Sequence, residues 1–183
     1  MIDLSKSRNE WPIETKIRRG LWTYVIEPLV RWLPKPFSPW RTFALRMMGA
    51  SIGPHCLILP GVKICMPWNL HLGDHVAIGE GANIYNLAPI SIGRMTVVSQ
   101  FSFLCTGSHD YRKSDMPLQC SPILIGNECW IAAGVYVAPG VSIANGVVVG
   151  AMSVVTKSLT TEWAVYGGNP CHFLKTRVMQ VPQ

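Results

Sequence analysis

The stretch FLCTGSHDYRK, Phe103 to Lys113, places a histidine, an aspartate, a tyrosine and an arginine at four consecutive positions, His109 to Arg112. Imidazole, with an unperturbed pKa of about 6.5, can take a proton and release it again near neutral pH, which is what a general base must do. Asp110 could orient the ring, and so could a backbone carbonyl. Asn83, Tyr85 and Asn86 stand upstream and Tyr111 and Arg112 follow directly, side chains that offer amides, ring faces and a guanidinium for stacking or hydrogen bonding. Each of these residue types also has an ordinary reading: a surface-loop histidine, a turn asparagine, a solvated loop. The surroundings of His109 have to decide.

Those surroundings repeat every six residues. Positions 52, 58, 64, 72, 78, 84, 92, 98, 104, 125, 131, 137, 143, 149 and 155 are all Ile, Leu or Val, and the last six follow without any slip. Six is a multiple of the strand period of two, so alternate residues share one face of an extended chain. A corner every six residues lets the chain turn and stack on itself. The expectation is an all-β solenoid, a parallel β-helix of about five coils, each inward aliphatic contributing roughly 1.5–3 kcal/mol when fully buried. An ordinary β-sandwich would carry turn signals every 8–12 residues, and a doubly wound fold would alternate helices with strands. Neither pattern is present. The register slips at 65–71, at 85–91 and between 105 and 125, so three insertions leave at one corner. The longest, 109–124, begins at His109, one residue after a Ser108 expected to point inward.

Composition agrees with a surface that must be covered. Charged residues make up 14% of 183, against roughly 25% in an average soluble domain, while 49% are hydrophobic. The net charge of +6 suits an anionic small molecule, a membrane surface or nucleic acid without choosing among them. Six cysteines without a C-x-x-C pair, and no convincing secretory signal, suggest reduced thiols and a cytoplasmic protein. No G-x-x-x-x-G-K-[ST] phosphate loop occurs.

The repeat, together with WRTFALRMMGASIG, LCTGSHDYR and YGGNPCHFLKTR, resembles the hexapeptide-repeat acyltransferase family. The resemblance implies a left-handed helix, a homotrimer with active sites between subunits, and acetyl-CoA as co-substrate with no metal. It assigns His109 as the base and an asparagine near 83 or 86 as an acceptor contact. It also implies that the bare corners around Ala133 and Ala151 line the pantetheine arm, that Trp130 packs against that arm, and that Thr156, Lys157, His172 and Lys175 meet the nucleotide end. The acceptor implied is a sugar hydroxyl in exopolysaccharide or related glycan biosynthesis, lipid-linked or otherwise. A free sugar, a sugar nucleotide or a xenobiotic are the alternatives, and no nucleic-acid partner is expected. A zinc enzyme on the same solenoid would need three converging histidines, and a noncatalytic assembly module would leave TGSHD unexplained.

Residues 1–50 stand apart from the repeat, which spans 51–160 and is followed by a closing segment, 161–183. Leu21, Tyr24, Val25, Leu29 and Trp32 recur at helical spacing, interrupted by Pro28, and residues 41–48 suggest a second short helix. One reading is a helical cap over the open end of the solenoid. The other is peripheral contact with an anionic inner membrane face, since KIRRGLW and RWLPKPF set tryptophan beside basic residues.

Overall fold

Fifteen aliphatic residues at six-residue spacing require a shape that can enclose all of them at once, and a triangular prism does so. In the computed structural model, which describes Ile2, Ser5 and residues 11–180, all fifteen are buried, none above 9% exposure. Short parallel strands stack into three walls. Wall one holds Ser51–Ile52, Leu70–Leu72, Ile90–Ile92, Ile123–Ile125 and Ser142–Ile143. Wall two holds Leu57–Ile58, Ala77–Ile78, Val97–Val98, Trp130–Ile131, Val148–Val149 and Ala164–Gly167. Wall three holds Lys63–Ile64, Asn83–Tyr85, Phe103–Cys105, Tyr136–Val137 and Val154–Val155. The stacking is in register, so Ile52 lies over Leu72 and Ile92, and Ile131 lies between Val98 and Val149. A sixth, partial turn follows the five expected. Leu159 bridges to Ile143, Ala164–Gly167 joins wall two, and the antiparallel strand His172–Thr176 closes it.

The first coil has no coil beneath it, and three helices cover that end: α1 (Ile13–Leu21), α2 (Glu27–Arg31) and α3 (Ser38–Met47). They answer the bare strand edges one at a time. Arg46 donates to the Ile52 carbonyl of wall one at 2.9 Å. In wall two, Arg41 donates to the Ile58 carbonyl at 2.8 Å and Ser38 Oγ accepts from the Ile58 N–H at 2.9 Å. In wall three, the Trp22 indole N–H donates to the Ile64 carbonyl at 2.7 Å. Buried backbone groups left without partners would each cost about 1–3 kcal/mol, so the capping reading has a concrete physical basis.

Two features of the cap differ from expectation. Pro28 does not interrupt the helix, because Trp22–Ile26 forms a π turn in which Glu27 N–H reaches back to the Trp22 carbonyl. The wider turn absorbs the hydrogen bond that proline cannot make. The stripe of Leu21, Tyr24, Val25, Leu29 and Trp32 also faces outward, at 47–83% exposure, while Trp22 and Leu45 enter the core at 2% each. A small recess under the cap is lined by Trp22, Glu27, Arg41, Leu45 and Ile58. Within the cap, Glu27 is 7% exposed and Arg41 is 3%.

The long insertion is a β-hairpin. Gly107–His109 pairs antiparallel with Leu118–Cys120, and wall one resumes at Ile123. Thr106, fully buried, is the true corner: its N–H donates to the Tyr85 carbonyl and its own carbonyl accepts from Ser121. Ser108 is therefore exposed rather than inward, because it lies on the hairpin after the prism has been left.

Candidate active site

His109 stands at the outer end of its strand, opposite Leu118. Its Nδ1 lies 2.7 Å from the Met116 carbonyl oxygen across the hairpin. A carbonyl only accepts, so Nδ1 carries the hydrogen in the neutral ring and Nε2 is left with a bare lone pair. The side chain is exposed. A fixed ring with an open, unprotonated Nε2 is the arrangement a general base needs.

Asp110 does not hold the imidazole, which corrects that expectation. It is 6% exposed and turned the other way, accepting from Arg112 Nε at 2.9 Å, Arg112 Nη2 at 3.3 Å and Gln119 Nε2 at 3.4 Å. The Arg112 guanidinium holds the Asp110 carboxyl below the usual carboxylate range. Arg112 is thereby committed to the hairpin, and Asp110 N–H donates to Pro117. These bonds fix the turn that carries Met116. Tyr111 is exposed beside them.

The wall below the hairpin is aromatic. Outward along wall three, Lys63, Asn83, Phe103, Tyr136 and Val154 lie in register. Tyr85 and Phe103 meet edge to face at 6.4 Å, and Phe103 and Tyr136 at 5.6 Å. Burial pushes the Tyr85 and Tyr136 hydroxyls above their ordinary pKa. Gly107 has a reason to be glycine: a Cβ there would stand 3.1 Å from the Tyr85 ring and from Leu87. Phe103 and Tyr136 were not among the site candidates, although both precede an inward aliphatic in the repeat, a position that faces outward. Met116 left no signal, since only its backbone is used.

The two asparagines part company. Asn83 is half-buried on the open face of wall three. Asn86 is fully buried, its Oδ1 accepting from Met66 N–H at 2.9 Å and its Nδ2 donating to the Met66 carbonyl at 2.6 Å. An enclosed amide bound to backbone cannot reach a ligand, so the acceptor reading of Asn86 is corrected to a corner clamp.

Ala133 and Ala151 sit one coil apart at the corner between walls two and three, Ala133 accepting from Met152 N–H. Neither alanine N–H donates to any group among the described residues. Trp130 lies around that corner on wall two, half-exposed, its indole donating to Ser99 Oγ at 2.9 Å. Thr156 and Lys157 are exposed at the far edge of wall three. Lys175 pairs with Val165 at the end of wall two, and the His172 ring lies 3.2 Å from the Pro170 carbonyl. All four are at the C-terminal end of the prism, on two different walls. Among the described residues, no group of three or more His, Cys, Asp or Glu could hold a metal ion.

Residues 122–157 match the family model for the bacterial transferase hexapeptide (six repeats). The chain is 46% identical over 162 residues, 88% of each chain, to the Escherichia coli K12 protein WcaF, which is named for acetyl transfer in colanic acid biosynthesis. The chain belongs to the hexapeptide-repeat acetyltransferase family. This acetyltransferase is 29% identical to the galactoside O-acetyltransferase of Escherichia coli K12, over 74% of its own length and 68% of that protein. Among solved structures it matches the hexapeptide-repeat acetyltransferase VCA0836 of Vibrio cholerae at a TM-score of 0.80 and 25% identity, over 89% and 92% of the two chains. A galactoside acetyltransferase in complex with coenzyme A gives a TM-score of 0.82 at 23% identity, covering 92% and 84%. The all-β solenoid expected from the repeat is thus the fold of a family of acetyltransferases.

Proposed function

We propose that this enzyme transfers an acetyl group from acetyl-CoA to a sugar hydroxyl in exopolysaccharide or related glycan biosynthesis, in the cytoplasm. The observation that carries the reading is His109, held by Nδ1 on the Met116 carbonyl at 2.7 Å with Nε2 open. Nε2 removes the proton from the acceptor hydroxyl as its oxygen attacks the thioester carbonyl. The tetrahedral intermediate collapses, the C–S bond breaks, and the imidazolium returns the proton to the departing CoA sulfur. No external acid or base is consumed. Asn83 and the Tyr85 edge of wall three receive the sugar beside the hairpin. The Ala133 and Ala151 amides bind the pantetheine arm, and Thr156, Lys157, His172 and Lys175 lie toward the nucleotide end. Similarity to WcaF favours a glycan acceptor.

A homotrimer completes the site. From the Ala133 corner to the hairpin corner is about six residues of extended chain, on the order of 20 Å across wall three. A neighbouring prism brings a hairpin edge against a donor corner without that crossing. The test supplies acetyl-CoA with lipid-linked sugars, nucleotide-linked sugars and free sugars, and locates the acetyl group by mass. His109→Gln is expected to lower kcat by roughly 10²–10⁴, about 3–5 kcal/mol of barrier, with unchanged melting. A variant keeping most of its activity would remove His109 from the mechanism, and acetylation of an amine alone would overturn the hydroxyl acceptor.

A further inference from the structure

The cap over the first coil has two faces, and only one is explained by the fold. Its inner face supplies Trp22, Ser38, Arg41 and Arg46 to the strand edges. Its outer face is apolar. Ile13, Ile17 and Leu21 recur at four-residue spacing along α1, and the stripe continues through Tyr24, Val25 and Leu29, all at 47–83% exposure. The π turn at Trp22–Ile26 is what keeps the stripe in phase past Pro28. Of twenty-four exposed large apolar side chains among the described residues, eleven come from residues 13–47. That concentration, within the cap, far exceeds scattered surface hydrophobicity.

The same segment carries the charge. Between residues 11 and 50 there are seven Lys or Arg and two Asp or Glu; Arg41 and Arg46 serve the inner face and Glu27 is buried, which leaves Lys16, Arg18, Arg19, Arg31 and Lys35 against Glu14, an excess of four. Aromatic rings sit among these cations: Arg19 lies over Trp11 at 4.8 Å and Arg31 over Trp32 at 5.0 Å. Helix α1, the π turn and α2 together extend roughly 28 Å, and no helix of the described residues is long and apolar enough to cross a membrane. An apolar stripe bordered by Trp, Tyr, Arg and Lys, on a helix α1 with no buried residue, matches the boundary between acyl chains and anionic headgroups.

We propose that the outer face of this helical cap docks on an anionic lipid bilayer, with Ile13, Ile17, Leu21 and Leu29 in the acyl boundary and the flanking cations on the headgroups. Positive charge at this density is what a second copy of the same face would repel and an anionic surface would attract, which selects the lipid over self-association. The inference is independent of the acetyl-transfer reading.

Co-sedimentation of the full chain with vesicles tests it. Vesicles of phosphatidylcholine containing about a third phosphatidylglycerol are expected to bind at least tenfold more protein than pure phosphatidylcholine, and 0.5 M salt is expected to reduce that binding severalfold. The triple variant Ile17→Asp, Leu21→Asp, Leu29→Asp is expected to abolish binding while keeping the melting temperature and acetyl transfer to a soluble acceptor. Those side chains are 47–71% exposed, so their contribution to folding is small, and the melting temperature checks it. Lys16→Gln with Lys35→Gln is expected to weaken binding to anionic vesicles and leave any binding to neutral ones alone. Equal recovery from neutral and anionic vesicles, or none from either, would overturn the proposal. So would a wild-type self-association that the triple variant loses while vesicles bind neither form, since the face would then join copies of the chain.

Discussion

Because His109 is restrained by a main-chain carbonyl, the restraint does not depend on which side chain stands at position 116. It depends on the hairpin that presents that carbonyl, and hence on the Asp110, Arg112 and Gln119 cluster that tightens it. Residue types alone could not choose at this point. TGSHD pointed to His109, and of the two orienting groups left open, Asp110 or a backbone carbonyl, the fold supplies the carbonyl. Asn86 misled for a similar reason: asparagine suits a ligand hydroxyl and a buried turn equally, and only burial separates the two. The lysines proposed to meet the nucleotide end of the donor allow a residue-scale prediction. Lys157 and Lys175 are exposed, so each phosphate contact should contribute only about 1 kcal/mol. Neutralising both is expected to raise the KM for acetyl-CoA roughly tenfold or more with the acceptor KM unchanged. Comparing acetyl-CoA with acetyl-dephospho-CoA checks the assignment. If the wild type treats both donors alike, neither lysine reads the 3′-phosphate.

Among the elements, the coils were fully legible and the cap only half so. A six-residue period leaves one consistent inward set, and all fifteen members are buried. Helical spacing says only that apolar residues share a face, not whether that face meets the core or the outside, and in the cap it meets the outside. The hairpin escaped because it borrows no period from the coils around it. The cap also yields a pH prediction. Burial pushes the Glu27 carboxyl above its ordinary range against the opposing pull of Arg31, the Ile64 backbone and Lys63. A raised carboxylate favours the folded state in its protonated form, so its contribution is fullest below the unfolded value near 4.5 and is lost as pH rises through the folded one. Glu27→Gln, which keeps the shape without the charge, is expected to raise the melting temperature at pH 7 by a few degrees and to gain little at pH 4. Thermal melts at the two pH values decide it; an equal gain at both would mean that the carboxylate charge is not the cost.

For the whole molecule, the proposed trimer makes a sharp prediction. Chains carrying His109→Gln lack the base, and chains carrying Ala151→Trp should have a blocked donor corner. Each is expected to be inactive alone as a homotrimer. Co-refolded in equal amounts, they are expected to recover about a quarter of wild-type activity, because one contact in four joins an intact hairpin to an intact corner. Sites confined to one chain would recover nothing, and a fully active monomer in sedimentation would remove the trimer altogether.

The side chains that occupy the rim of the first coil have one more consequence. A stack of parallel strands ends in a row of unpaired amides and carbonyls, and that row is a template on which another chain can continue the stack. Arg46, Ser38, Arg41 and Trp22 occupy it at Ile52, Ile58 and Ile64, so the prism is stopped as well as covered. Without residues 1–50, the remaining prisms are expected to pair through their bared first coils rather than simply unfold. Electron microscopy of such a truncation would reveal the pairs, and unpaired particles would mean that the coils end themselves.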